Sequence, residues 1–249
     1  MSRKLLVAFL LISFMLLATG CNYDQPIDPA NGIWDKYFVF PLSWAIDYFA
    51  VLLNPTDNPE YDKYGWSIII VTILIRLLTL PLMMKQLKSS KMMQALQPEM
   101  TKIREKYKTD QQKLQQETMK LFQKHNVNPL AGCLPILVQM PILIGIFHAI
   151  MRNPDIKTHY FLGFSLGEPL WILAILAGVT TYLQQKVMGG VDNPQMKIIM
   201  TVMPVMVVIF AWGFASALSL YWVIGNIFTI VQSYAMKDMY KLNQEGAAK

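Results

Sequence analysis

One apolar stretch, Trp66 to Met84, constrains this chain more than any other, because it contains a single arginine, Arg76, well inside it. A run of about 18 or more apolar residues is long enough to cross a bilayer as a helix. Placing arginine near the centre of such a helix costs roughly 2.5–3.5 kcal/mol on insertion scales. The chain must therefore provide a polar environment for Arg76 or let its side chain reach the membrane boundary.

The rest of the chain repeats this apolar character in blocks. Hydrophobic residues make up 54% of the 249 residues, and their concentration in blocks is typical of a polytopic membrane protein. Four further spans are predicted at about 134–151, 170–185, 198–215 and 219–236. We predict an all-α membrane protein with five transmembrane helices in the mature chain, an outer-surface amphipathic helix and a cytoplasmic helical hairpin. The five-span core with its hairpin covers residues 64–236.

Residues 1–21 have the pattern of a lipoprotein signal peptide. Arg3 and Lys4 precede an apolar run that ends in small residues before Cys21, as in secreted proteins that are cleaved at such a site. Cleavage before Cys21 and lipidation of its thiol would leave the mature N-terminus outside. The alternative is an uncleaved anchor with a free thiol.

Residues 22–63 form a predicted extracellular N-terminal region with one helical segment, from about Trp34 to Leu53. Apolar and aromatic residues recur there at three- and four-residue intervals, which places them near one face of a helix. Pro41 should break or kink this helix. A position on the outer membrane surface is predicted, and packing against the spans is the alternative. The residues of this face are Ile33, Tyr37, Phe40, Trp44, Tyr48 and Leu52.

The only long polar loop follows the Arg76 span. Two helical stretches, about 84–107 and 111–125, predict a helical hairpin, with Pro98 marking a kink or a helix start in the first arm. Methionines are frequent in it, and they either form a surface that accepts varied apolar partners or pack the two arms together. These methionines are Met83, Met84, Met92, Met93, Met100 and Met119.

Basic residues decide the orientation. With the N-terminus outside, the hairpin contributes ten Lys or Arg residues to the inside, and five more lie at Lys186, Lys197, Lys237, Lys241 and Lys249. The outside contains only Lys36, Lys63, Arg152 and Lys157. This asymmetry follows the positive-inside rule and explains the net charge of +6 without specific nucleic-acid binding. Residues 237–249 are then a cytoplasmic tail.

Arg76 has no carboxylate partner in the predicted spans, since none of them contains Asp or Glu. It lies nine residues before Lys85, or roughly 13 Å from the inner boundary, which is about twice the reach of its side chain. A buried guanidinium without a carboxylate must be solvated by water, amides and carbonyls. We therefore predict a polar cavity that is open to the cytoplasm.

Motifs for catalysis and cofactors are weak. The sequence Gly163-Phe164-Ser165-Leu166-Gly167 matches a nucleophile elbow, but it has no strand pattern before it, so Ser165 is predicted as a turn serine. The three histidines lack metal-ligand spacing, and no phosphate-binding glycine loop is present. We expect no cofactor, no metal site and no enzyme activity. An intramembrane hydrolase using Ser165 remains an alternative.

Several of these features together resemble the YidC/Oxa family of membrane protein insertases. They are the Arg76 span with its Leu80-Pro81-Leu82, the hairpin rich in Met and Lys, the run Asn128 to Pro135, Gln139-Met140-Pro141 and Tyr221-Trp222. The similarity extends from about residue 34 to 236. The lipoprotein signal and the lack of a large extracytoplasmic domain resemble the short forms of Gram-positive bacteria.

The resemblance implies an insertase of the bacterial cell membrane, with a hydrophilic groove that receives polar parts of a nascent membrane protein. Arg76 would be its charge, with Gln139, Gln184 and Trp222 lining the groove; the choice between Gln184 and Gln185 stays open. Nascent membrane proteins and lipid are the implied partners, and the ribosome and the Sec translocon are further candidates. Cys133 would be a family-pattern residue without a catalytic role. A small-molecule or ion transporter using the same cavity is the alternative function.

Overall fold

The computed structural model describes residues 25–55, 62–125, 134–188 and 194–247. The predicted signal peptide with Cys21, and the run from Asn128 to Cys133, lie outside these residues. Over the described ranges the chain is mostly helical, with one short antiparallel ladder. The elements are α1 Phe40–Leu53, α2 Lys63–Ala95, α3 Gln97–Lys106, α4 Gln111–Lys124, α5 Leu134–Met151, α6 Pro154–Thr158, β1 Tyr160–Phe161, β2 Phe164–Ser165, α7 Trp171–Met188, α8 Pro194–Trp212 and α9 Ser216–Ala247.

The helix around Pro41 is interrupted, as the proline predicts. A π-helical segment, Asp35–Val39, precedes α1, and the Phe40 N–H donates to the Asp35 carbonyl, five residues earlier. Proline has no N–H, so the carbonyl four residues before it cannot receive an α-helical hydrogen bond. The wider π turn absorbs this defect, and Pro41 lies in the first turn of the regular helix.

The two faces of α1 have different environments. Val39, Ile46 and Ala50 are fully buried, and the helix packs against α2 and α5. The six residues predicted to share a face are all exposed, from Phe40 at 39% to Ile33 at 77%. The periodicity thus identified the face correctly, and it is the face directed away from the protein. A position on the membrane surface stays a prediction.

The Arg76 helix continues beyond the predicted span. α2 has 33 residues and ends at Ala95, because the residues after Met84 are polar but favour a helix. Pro98 lies in the first turn of α3, so of the two predicted roles, a kink or a helix start, it has the second. The Asp110 side chain caps α4 by accepting a hydrogen bond from Lys113 N at 3.0 Å. Leu96, Leu121 and Phe122 form a small core between the arms.

The methionines of the hairpin divide between its interior and its surface. Met93 and Met100 pack against the small core of the hairpin. Met84, Met92 and Met119 are exposed by 37%, 38% and 49%. The hairpin therefore has its own apolar interior and still presents thioether side chains on its surface.

One end of the helix bundle, named the capped end, is closed by α6, β1 and β2. Apolar side chains of α1, α2, α5 and α9 pack together here in the largest core of the described chain. Backbone hydrogen bonds join α9 to the segment before α7, since Ser216 N donates to Glu168 O and Ala217 N to Leu166 O. These contacts leave the capped end densely packed.

The β1–β2 ladder turns through Leu162 and Gly163, which both have positive φ, as in a type I′ hairpin. The prediction of an all-α fold missed this ladder. Strands of two residues contain no alternation that a sequence pattern could reveal.

Two described helical stretches are long and apolar enough to cross a bilayer. They are Asp35–Leu53, with 19 residues and a mean hydropathy of 1.3, and Lys63–Met84, with 22 residues and a mean hydropathy of 2.3. Gln139–Met151 and Met200–Trp212 are shorter apolar helices. The predicted count of five spans therefore remains a prediction.

Candidate functional site

Arg76 lies on α2 just beyond the core of the capped end. Thr72, one turn earlier, is fully buried, whereas Leu78 is 80% exposed. The same change occurs on α5, where residues 146 and 148–150 are buried and residues 139–144 are only partly buried. α9 packs along α2, but α5 contacts both helices sparsely. Arg76 therefore occupies the point where dense packing between these three helices ends.

A chain of hydrogen bonds connects the three helices at this point. The Arg76 Nη1 donates to Gln139 Oε1 at 3.1 Å, and Gln139 Nε2 donates to the Tyr221 hydroxyl at 3.2 Å. Tyr221 is buried, with 2% of its surface exposed. The amide of Gln139 thus uses its oxygen for the guanidinium and its nitrogen for the phenol, which fixes its orientation.

Gly225 provides the space for the guanidinium on α9. A Cβ atom at this position would lie 2.7 Å from Arg76 Nη2, closer than any van der Waals contact allows. Only glycine lets the α9 backbone approach the guanidinium this closely. The position of Arg76 is therefore set by Gln139 on one side and by a bare stretch of backbone on the other.

The charge of Arg76 has neutral neighbours. Among the ion pairs of the described residues, none includes Arg76. An arginine held by an amide keeps its full positive charge available to an incoming carboxylate, whereas a salt bridge would neutralise it. The site can therefore attract anionic groups without first breaking an ion pair.

Two of the four predicted groove residues have other surroundings. Gln184 Nε2 lies 3.9 Å from Met188 Sδ on the same helix. Trp222 packs against the apolar cluster of Ala174, Ala177, Val207, Ala211 and Val223. Among the described residues, a hydrogen bond joins Arg76 to Gln139, and none joins Arg76 to Gln184. The choice between Gln184 and Gln185 as a groove residue remains open.

Most of the chain matches a family of known proteins. A model of the 60Kd inner membrane protein family matches residues 57–244, which include Arg76, Gln139 and Tyr221. The chain belongs to this family. Members of the 60Kd inner membrane protein family reside in membranes, so the membrane assignment made from composition is confirmed.

Individual relatives agree with the family match. The chain is 57% identical to membrane protein insertase YidC 1 of Halalkalibacterium halodurans over 241 residues, which cover 94% of this chain and 91% of the relative. It is 57% identical to membrane protein insertase MisCA of Bacillus subtilis over 234 residues, with 90% and 87% covered. The resemblance to the YidC/Oxa family is thereby confirmed.

A solved structure shares the fold. A crystal structure of an active YidC insertase with its first transmembrane domain resolved has a TM-score of 0.62 and 25% sequence identity. The match covers 79% of this chain and 45% of that chain. The matched region thus corresponds to a little under half of the solved protein.

Sequence reasoning missed two residues of the site. The sequence points to Tyr221 only through the family resemblance, and it does not point to Gly225. The signal for Tyr221 was a hydroxyl within an apolar span, but its partner lies 82 residues away in sequence. Gly225 carries no signal, since its role depends on a neighbouring helix. The roles of both residues become visible only in the packing of α9 against its neighbouring helices.

Other polar residues in the spans join helices. Asn226 Nδ2 donates to Thr181 Oγ1 at 2.9 Å and to Thr180 Oγ1 at 3.1 Å, which links α9 to α7. Buried amides and hydroxyls often fasten membrane helices together in this way. These residues support the position of α9, and the hydrogen bonds of the described residues do not join them to the guanidinium of Arg76.

Ser165 occupies a structural position in β2. Its carbonyl accepts a hydrogen bond from Ser216 Oγ, which helps to fasten α9 to the capped end. The nearby His159 places Nδ1 2.6 Å from the Asp155 carbonyl oxygen, so no carboxylate orients the ring as in a catalytic triad. Ser165 thus lies in β2, two residues after the turn at Leu162 and Gly163 that was predicted to contain it, and this geometry does not suit a nucleophile.

Proposed function

We propose that this protein is a membrane protein insertase that receives the polar part of a nascent membrane protein at Arg76. The observation that carries the proposal is an arginine held by the neutral amide of Gln139, directly beyond the packed capped end. The names of the relatives, which are insertases at 50–57% identity, support it. They give no support to the transporter alternative.

The proposed mechanism is electrostatic and needs no covalent step or nucleotide. A positive charge within the membrane attracts an acidic residue of the substrate tail, because the low dielectric there strengthens charge interactions. The apolar segment next to that tail partitions into lipid. The capped end would close the site towards the outside, so the tail shortens its path through hydrocarbon without opening a pore.

The orientation and outer parts of this mechanism are also proposals. We place the capped end outside and the α3–α4 hairpin in the cytoplasm, following the distribution of basic residues. Lipidation at Cys21 would anchor the N-terminus outside, and α1 would lie near the outer surface. The hairpin, with its exposed methionines, would make first contact with the nascent chain, the ribosome or the Sec translocon.

Replacement of Arg76 tests the proposal. Insertion of a single-span substrate with an acidic tail is measured in cells that depend on this protein. We expect a loss of about tenfold or more for Arg76→Ala, a larger loss for Arg76→Glu, and retained insertion for Arg76→Lys. The matched control is Lys186→Ala, which removes an exposed positive charge at the end of α7. Full insertion by both the Ala and the Glu variants would overturn the proposal.

A further inference from the structure

A cavity of about 280 Å³ lies at the capped end, and Arg76 is not among the residues that line it. It is bounded by the first two turns of α1 and by the segment that follows α5. Its polar lining comes from Ser43, Asp47, Arg152, Asn153 and Asp155, and the aromatic rings of Phe40 and Trp44 line it from α1. We refer to it as the Asp47 cavity.

The one basic residue of this cavity is already neutralised. Arg152 Nη1 and Nη2 donate to the two oxygens of Asp35 at 2.8 and 2.6 Å, and both side chains are nearly buried. Arg152 also donates to the carbonyls of Gln25 and Pro26. Its charge is therefore compensated by Asp35, and four of its five N–H groups are already used in hydrogen bonds within the protein.

The two acidic residues are held by neutral donors. Asp47 accepts from Asn153 Nδ2 at 2.8 Å and from Ser43 Oγ at 3.4 Å, and Asp155 accepts from the Tyr64 hydroxyl at 3.3 Å. Among ion pairs of the described residues, neither carboxylate takes part. The Asp47 cavity therefore presents two carboxyl groups that have no cationic partner among the described residues, and a cation between them would compensate their charge.

The chemistry of the lining favours an organic cation over a metal ion. Within the described ranges, no group of three or more metal-ligating side chains is present, whereas metal sites in proteins normally offer several such ligands. Aromatic rings beside carboxylates are typical of sites that bind ammonium groups. Trp44 is also 57% exposed on the outward face of α1, where tryptophan is favoured at the head-group level of a bilayer.

We propose that the Asp47 cavity binds the ammonium head group of phosphatidylethanolamine from the outer leaflet, between the carboxylates of Asp47 and Asp155. The acyl chains then lie along the exposed face of α1, beside Trp44 and Tyr48. This inference rests on the outward placement of the capped end given under the proposed function. An ammonium group donates three hydrogen bonds, which the two carboxylates can accept.

The test measures lipid binding to the purified full-length protein in detergent, by native mass spectrometry and by thermal unfolding. We expect phosphatidylethanolamine to bind and to raise the unfolding temperature, and phosphatidylglycerol, which lacks an ammonium group, to do neither. Equal effects of the two lipids would overturn the proposal. Equal stabilisation by soluble phosphoethanolamine or by magnesium alone would overturn the assignment to a lipid.

Amide variants test the two carboxylates. Asp47→Asn combined with Asp155→Asn preserves shape and hydrogen-bond acceptors, and we expect it to weaken phosphatidylethanolamine binding about tenfold or more, as for the loss of one charged hydrogen bond. The matched control, Glu99→Gln with Glu117→Gln, removes two carboxylates from the hairpin and should bind normally. Unchanged binding by the Asp47 and Asp155 variant would contradict the proposal. The lipid series on the unaltered protein decides the question even if this variant does not fold.

Binding and insertion are separable in this design. Arg76→Ala should bind phosphatidylethanolamine like the unaltered protein, since Arg76 does not line the cavity. Lipid binding with intact insertion by the Arg76 variants would overturn the proposed function alone. Loss of lipid selectivity with Arg76-dependent insertion would overturn the inference about the cavity alone.

Discussion

At the scale of single residues, the site depends on how closely the α9 backbone approaches Arg76. The sequence allowed Arg76 and Gln139 to be selected, because each is polar within an apolar span. It could not identify Gly225, which matters because a Cβ atom at this position would lie only 2.7 Å from Arg76 Nη2. A glycine that makes room for a side chain of another helix leaves no pattern in the sequence.

Gly225→Ala should move the charge without unfolding the protein. The added methyl group meets the far end of a flexible side chain, so the guanidinium can shift and the backbone can stay in place. We expect insertion of acidic-tailed substrates to fall about threefold to tenfold, since catalytic and binding groups tolerate little displacement. The unfolding temperature should change little.

The control for Gly225 is Gly213→Ala, where the nearest atom, Phe210 O, would be 3.6 Å from the new Cβ. Insertion is measured for both variants beside the unaltered protein. Equal insertion by the Gly225 and Gly213 variants would mean that the close approach has no functional role.

Tyr221→Phe should loosen the orientation of Gln139. The change removes the hydroxyl that accepts from Gln139 Nε2 and leaves that N–H without its partner. A lost buried hydrogen bond costs about 1–3 kcal/mol of unfolding free energy. We expect a lower unfolding temperature together with weaker insertion, whereas Tyr234→Phe, at a tyrosine that is 57% exposed, should change neither. Normal stability of the Tyr221 variant would argue against this hydrogen bond.

At the scale of elements, periodicity predicted helices well and their junctions less well. The exposed face of α1 and the two arms of the hairpin followed from residue spacing. The continuation of α2 to Ala95 did not, because the apolar pattern ends at Met84 while helix propensity persists. The π-helical segment before Pro41 was expected as a defect, but its form depends on how α1 packs.

Phe122→Ala should unfold the hairpin locally. Phe122 is 6% exposed and belongs to a small core in which, among the described side chains, Leu96 and Leu121 are the other buried residues. Truncation of a buried phenylalanine costs about 3–5 kcal/mol, which so small a core cannot absorb. Hydrogen exchange should accelerate across α3 and α4 and remain slow at the capped end.

The control for the hairpin is Met119→Ala, three residues earlier in α4, where the side chain is 49% exposed. Its exchange rates should match those of the unaltered protein. Slow exchange throughout the hairpin of the Phe122 variant would show that another part of the chain stabilises it.

At the scale of the whole molecule, charge asymmetry predicted an orientation, and the structure shows that one end of the bundle, the capped end, is densely packed. The core that joins α1, α2, α5 and α9 involves contacts between distant segments. Counts of basic residues carry no information on such contacts. The ion pair of Asp35 and Arg152, 117 residues apart, was equally hidden, since each residue alone resembles a solvated loop charge.

Arg152→Ala should strongly destabilise the capped end. It leaves the carboxylate of Asp35 buried without its partner, and breaking a buried pair in this way costs about 3–5 kcal/mol. The combination with Asp35→Ala should recover part of the lost unfolding free energy, because no buried charge remains. Lys157→Ala, an exposed residue nearby, is the control. Thermal unfolding of all four proteins measures the effect, and equal stability of Arg152→Ala and the control would contradict it.

The continuous helix α2 has a mechanical consequence. Its 33 residues correspond to a rod of roughly 50 Å, which exceeds the thickness of a bilayer interior. One end is clamped in the capped core and the other carries the hairpin, with Arg76 about two-fifths of the way along. A sideways force on the hairpin would bend this helix. Bending is easiest at Pro81, which lies between Arg76 and the hairpin, because a proline inside a helix removes a backbone hydrogen bond. The charge would therefore stay nearly still while the hairpin swings, so movement of the hairpin would be mechanically separated from the proposed site at Arg76.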